Sequence, residues 1–209
     1  MATRVPLDEA TIIDMAAQLL DSHGADKLTL TLIANHLGVT QPALYKHVEG
    51  IDAVWRGLGL RERAELESRL AAATIGLAGD DAVWAIANAW RDFSAESTSL
   101  YAIGDRYPVA GDDELESAVG RVLDVIVAAL RGYDLDERSV LHAAVGLRSA
   151  LHGFCTFDLH AGNPTPLESD ELFTATVELT ISGIHALSSS STSSPSSPIT
   201  PRSEAEEQS

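Results

Sequence analysis

The stretch that most limits what this chain can fold into is residues 29–47, TLTLIANHLGVTQPALYKH, where two short helical patterns are separated by a single tight turn. Thr29 can cap a helix whose inward face is Leu32, Ile33 and Leu37, and Gly38 supplies the backbone freedom the turn needs. Thr40 can cap the next helix. Gln41 and Pro42 fill its first turn, where a missing proline N–H costs nothing, and Ala43, Leu44, Tyr45, Lys46 and His47 complete about two turns. The pattern is a helix-turn-helix. A second helix this short buries little by itself, so its surface position points to insertion into a DNA major groove.

In that geometry Thr40, Gln41, Pro42 and Ala43 face base edges. The Gln amide can hydrogen-bond adenine, and small apolar groups meet a thymine methyl. Tyr45, Lys46 and His47 fall where phosphates run, Thr29 joins the DNA-facing set at the start of the preceding helix, and Leu44 belongs to the core. Read as packing and surface residues instead, Tyr45 and His47 would carry no function.

The helix-turn-helix is braced by a helix capped at Asp8, with Ile12, Ala16, Leu19 and Leu20 inward and Gly24 beyond its end, after a loose arm over residues 1–7. A fourth helix opens at Gly50 and Asp52 and carries Val54, Trp55, Leu58, Leu66 and Leu70 inward; its length suits a connector. The pattern stays helical after it, and no alternating strand or hairpin signal occurs. Val83, Ile86, Ala87, Trp90 and Phe93 mark one helix after Asp80 or Asp81. Residues 99–111 read as a short helix plus loop, and residues 112–131 as a helix apolar nearly all round between Val119 and Leu130, buried on more than one side. Long helices then span 136–160 and 168–187, separated by Gly162, Asn163 and Pro164. From Ser188 the Ser/Pro-rich, then acidic, tail has nothing to bury and is expected to be disordered.

Three segments together, ATIIDMAAQLLDSHG, LTLTLIANHLGVTQPALYKHV and the helix start DAVW, resemble the TetR family of transcriptional regulators. LRSALHGFCTFDLHAG, residues 147–162, resembles a segment of TetR-type C-terminal domains. The resemblance implies an all-α fold of about nine helices: a helix-turn-helix DNA-binding domain over residues 1–51, a helical ligand-binding and dimerisation domain over 52–187, and the tail over 188–209. It supports the phosphate-contacting role of Tyr45 and His47. Two positions depart from the family pattern. Thr31 stands where many relatives are basic, and Ile51 where most carry Lys, so phosphate contacts are lost and Ile51→Lys is expected to tighten operator binding at low salt. Arg4 in the arm can recover one contact.

Charge sharpens this. The chain carries −17 overall, but residues 1–60 hold four Lys/Arg against seven acids, while residues 61–187 hold nine arginines against 21 acids. The DNA-facing end is the least acidic large segment without being basic, so affinity must come from a few well-placed groups. No run is long and apolar enough for a membrane span and no basic-then-apolar leader opens the chain, which gives the expectation of a soluble, cytoplasmic protein. A single cysteine, Cys155, excludes an internal disulfide and a multi-cysteine zinc site.

In this family the last two helices dimerise, and here Gly146, Ala150, Gly153 and Phe157 recur at three- and four-residue intervals, as do Thr176, Thr180, Gly183 and Leu187. These are expected to form an isologous four-helix contact in a homodimer; the alternative is packing within one subunit. The remaining helices surround a ligand cavity, with Trp84, Trp90, Phe93, Tyr101, Tyr107, Phe154 and Phe157 as candidate aromatic lining and His142, His152 and Cys155 as polar points; any of these can equally be plain core. His152, Cys155, Asp158 and His160 could meet on one helix, but the sequence offers no sign of the oxyanion site or lowered thiol pKa that nucleophilic catalysis needs, so a buried thiol beside a structural histidine is the better reading, and His142, His152 and His160 do not have the i, i+4 spacing of a metal pair. No cofactor, metal or enzymatic activity is expected. The reading is a ligand-responsive repressor that binds a palindromic operator as a homodimer and is released by a small-molecule effector. The alternatives are a sensor with weak DNA binding acting through a protein partner, and an enzyme or small-molecule carrier.

Overall fold

The computed structural model describes residues 6–104, 109–159 and 165–191, and among these the secondary structure is entirely helical. Asp8 caps α1 (Glu9–His23), its carboxylate accepting from the Thr11 N–H at 2.8 Å. Ile12, Ile13, Ala16, Leu19 and Leu20 are the buried face. Thr29 caps α2 (Leu30–Leu37) through Leu32 N at 3.1 Å, and Gly38 follows at φ 66, a left-handed turn that glycine takes without strain. Leu30, Ile33 and Ala34 are the fully buried positions of α2, while Leu32 and Leu37 are only partly covered.

The second helix of the motif, α3, is shorter than its sequence suggests. It spans Gln41–Leu44, and Thr40 makes no side-chain cap hydrogen bond. Tyr45, Lys46 and His47 continue as tighter turns, with Lys46 N bonding Ala43 O and His47 N bonding Leu44 O, three residues back instead of four. Leu44, fully buried, anchors this turn.

The long helix α4 (Ile51–Ala73) joins the two ends of the molecule. It packs on α1, then on α5 (Gly79–Glu96), α6 (Thr98–Tyr101) and α7 (Asp113–Ala129), while α8 (Glu137–Leu159) and α9 (Ser169–Ser191) lie against each other on the far side. α6 also touches α1. One continuous core runs from Ile12 to Ile184. The α1–α4 crossing is close because position 57 is glycine: a Cβ there would come within 2.8 Å of Ile13 Cγ1. Arg61 and Asp14 form an ion pair across it.

Two expectations are corrected. α7 is buried along one face, Leu115, Ala118, Val122, Ile126 and Ala129; Arg121, Asp124 and Ala128 are exposed, because the neighbouring helices cover only one side. The serine run does not begin a disordered tail at 188. α9 continues to Ser191, with the Ser188 hydroxyl bonding Asp134 O at 3.1 Å and Ser189 bonding His185 O at 3.0 Å, so hydroxyls that lack anything apolar to bury still find backbone acceptors. The rest of the tail, with Arg4, Tyr107 and His160, lies outside the described residues.

Candidate functional site

At the helix-turn-helix end, Thr29, Thr40, Pro42, Tyr45, Lys46 and His47 are exposed, and Gln41 and Ala43 are half-buried on the same surface. Tyr45 is 53% exposed, too open for a packing residue. Gln41 is not free to rotate. Its Oε1 accepts the Thr31 hydroxyl at 3.1 Å, which turns the amide NH2 toward the Tyr45 hydroxyl at 3.5 Å. Thr31, read in the sequence only as a missing cation, therefore fixes the orientation of a candidate base-reading side chain. Ile51 is likewise more than a missing cation: it is half-buried in the first turn of α4 and packs against the core.

Midway along the molecule, α4 presents Glu62 and Arg63 to the interior, both buried. Glu62 falls in register with Leu58, Leu66 and Leu70 at four-residue steps, so a charge stands on the apolar stripe of the helix. Arg63 donates to Gly59 O at 2.9 Å and to Gly104 O at 2.7 Å, and lies 3.7 Å from the Glu62 carboxylate. Around this pair is an inner cleft lined by Leu66, Trp90, Tyr101, Val122, Arg148 and His152, with about 30 Å³ of space, room for a water. Arg63, Gly104, Val119 and Arg148 also line an outer groove of about 400 Å³ that adds Val109, Leu123 and Val145.

A hydrogen-bonded chain closes the inner cleft. Trp90 Nε1 donates to the Tyr101 hydroxyl at 2.9 Å, and the same hydroxyl is hydrogen-bonded to His152 Nδ1 at 2.8 Å. The chain ties α5, α6 and α8 together.

The expected lining is thus only partly brought together. Trp90, Tyr101 and His152 line the cleft, whereas Trp84 and Phe154 pack on Phe173 instead, with Arg91 stacked over the Phe173 ring at 4.7 Å. Phe93 is fully buried core and sits edge-on to Tyr101. His142 is exposed on α8 and lines neither the cleft nor the groove; the next two residues, Ala143 and Ala144, are the ones turned inward. Cys155 is buried away from the cleft. Burial pushes its thiol pKa up, opposite to what a nucleophile needs. Glu62, Arg63 and Arg148 were missed; the charge at Glu62 on an apolar stripe was the available signal.

On the α8–α9 side, Gly146, Gly153 and Gly183 have open space over their Cα atoms, and Phe157 is 40% exposed. Ala150 is half-buried. Leu141, Val145 and Leu179 are also exposed apolar side chains. Thr176 and Thr180 are half-buried and bond back to Leu172 O and Thr176 O, each at 2.8 Å. The exposed apolar line on α9 therefore runs one residue round the helix, through Ala175, Leu179, Gly183 and Ala186.

A helix-turn-helix at one end and a helical body behind it are the layout of a class, the helix-turn-helix transcriptional regulators. Residues 12–53 match the family described as bacterial regulatory proteins, tetR family, and residues 83–180 the one described as tetracyclin repressor-like, C-terminal domain. The chain belongs to the TetR family of transcriptional regulators. It is 31% identical over 185 residues to the HTH-type transcriptional regulator Rv0681 of Mycobacterium tuberculosis, spanning 88% of this chain and 84% of that protein. To the HTH-type regulator YobS of Bacillus subtilis it is 30% identical over 159 residues, 74% of this chain and 80% of that one. Its fold is similar to that of apo ActR from Streptomyces coelicolor, with a TM-score of 0.64 at 19% identity over 89% of this chain and 98% of that one. ActR has also been solved in complex with (S)-DNPA; that structure gives a TM-score of 0.62 at 20% identity over 87% of this chain and 98% of that one.

Proposed function

We propose that the protein is a ligand-responsive repressor that binds a palindromic DNA operator as a homodimer and is released by a small-molecule effector. Residues 1–51 form its DNA-binding domain and residues 52–187 its ligand-binding and dimerisation domain. The observation that carries this reading is the course of α4. Its first half is locked to α1 through Gly57 against Ile13 and through the Arg61–Asp14 pair, and its middle supplies Glu62 and Arg63 to the cavity. A ligand that shifts these side chains works on a rigid rod attached to the DNA-binding unit.

A second link runs through α6. Tyr101 and Gly104 line the cleft, and α6 rests on α1. In the dimer, α8 and α9 of two copies pack through Gly146, Gly153, Phe157, Leu179 and Gly183, and the spacing of the two α3 helices follows from that contact. The effector acts by preferring a dimer whose α3 helices no longer match successive major grooves; equal affinity for both states would switch nothing. That ActR, similar in fold, has been solved in complex with (S)-DNPA supports a small-molecule role here. Acting on chromosomal DNA places the protein in the cytoplasm.

The test is to retain fragmented genomic DNA on the purified protein at low and moderate salt and sequence what stays bound. One palindrome enriched at both salts supports the proposal. No enrichment by protein unfolded, extracted free of small molecules and refolded would sink it in favour of a sensor working through a protein partner.

A further inference from the structure

Arg148 differs from the other charged groups at the cavity. It is half-buried on α8, lines both the inner cleft and the outer groove, and makes no hydrogen bond or ion pair with any described residue. Arg63 is already held by two backbone carbonyls and the neighbouring Glu62. Among the described residues, the two arginines and one glutamate at the junction carry a single net positive charge when ionised. Their complement is a monoanion. A dianion such as a phosphate ester would bring its second charge against Glu62, whereas a flat carboxylate matches the guanidinium fork in two parallel hydrogen bonds.

The walls set the rest of the ligand. Among the described residues the outer groove adds Val109, Val119, Leu123 and Val145, all aliphatic. Its 400 Å³ lies within the usual range of small-molecule sites, while the inner cleft has room only for a water. From this we infer that the effector is an aliphatic monocarboxylate. Its carboxylate sits on Arg148 where cleft and groove meet, and its hydrocarbon chain lies along the four aliphatic residues of the groove. The inference rests on the reading of this cavity as the effector site.

Calorimetry on the full-length protein tests it, with octanoate as probe and octanamide and octyl phosphate as comparisons. Octanoate is expected to bind saturably, at least about tenfold more tightly than either, since a charge-assisted bidentate pair is roughly twice a neutral hydrogen bond. Arg148→Gln should erase the preference for acid over amide and Arg148→Lys should keep part of it, with circular dichroism confirming that both fold. Equal binding of acid and amide by the unaltered protein overturns the proposal, as does tighter octyl phosphate or no octanoate binding. Operator binding is measured separately. Octanoate that binds without weakening the operator complex leaves the site standing and removes effector release. A cell extract that releases the operator while octanoate does not bind removes the carboxylate and keeps effector release.

Discussion

Thr31 and Asp112 each couple one side chain to a larger consequence. Because the Thr31 hydroxyl holds the Gln41 amide in one orientation, Thr31→Val should leave the melting temperature nearly unchanged and, if Gln41 reads a base as proposed, blunt discrimination there. The loss expected is a fraction of the roughly 1–3 kcal/mol a well-placed amide contributes. Anisotropy titrations against matched and mismatched operators would measure it, and unchanged discrimination would free Thr31 of that role. Lys46→Gln should instead weaken all sequences alike and lower the salt slope by about one unit. Asp112 caps α7 and is gripped by Arg56, whose guanidinium holds the carboxyl down to about 2. A depressed carboxylate stabilises the fold above its ordinary range near pH 4 and loses that contribution as pH falls through about 2. Asp112→Asn, which can still cap, should therefore lower stability at neutral pH and converge with the unaltered protein near pH 2 in urea melts.

Helix contacts depend on two glycines at which a methyl would meet a neighbouring element, one against backbone and one against a side chain. At position 132 a Cβ would stand 2.4 Å from Gly79 N, backbone against backbone, where the turn after α7 meets the start of α5. Gly132→Ala should cost about 1–3 kcal/mol, as overpacking usually does, and a variant that melts with the parent would refute this. Gly57 faces the side chain of Ile13 instead, which can move, so Gly57→Ala should tilt α1 and weaken operator binding more than it lowers the melting point. Neither contact is legible in the sequence, because a glycine in a helix looks the same whether it faces solvent or another backbone. Helix ends were legible where a cap is a side chain, as at Asp8 and Thr29, and misread at Ser188, where the hydroxyl's acceptor lies 54 residues back in the chain.

For the whole molecule, the exposed apolar face of α8 and α9 is the quantity to test. Leu179 is 74% exposed and sits between Ala175 and Gly183 on the outer line of α9. A charge there should be tolerated by the single subunit and not by a dimer packed through that line. Leu179→Glu is expected to give a folded monomer by light scattering, with operator affinity lost through the missing second half-site. A dimer that survives it would move the interface elsewhere.

What the sequence determined alone is the part written in local spacing. The helices capped at Asp8 and Thr29, the Gly38 turn and the helical body of the described residues follow from periodicity, turn chemistry and the family resemblance, and local rules of that kind need no partner from elsewhere in the chain. Tertiary structure decided the cavity. Which aromatic residues line it and which are plain core depends on how α4 to α8 turn relative to one another, and that rotation separates Trp90 and Tyr101 from Trp84 and Phe154. It also decided that Glu62 and Arg63, ordinary charges in the sequence of α4, are drawn inside, where backbone carbonyls from Gly59 and Gly104 hold the guanidinium that water would otherwise solvate.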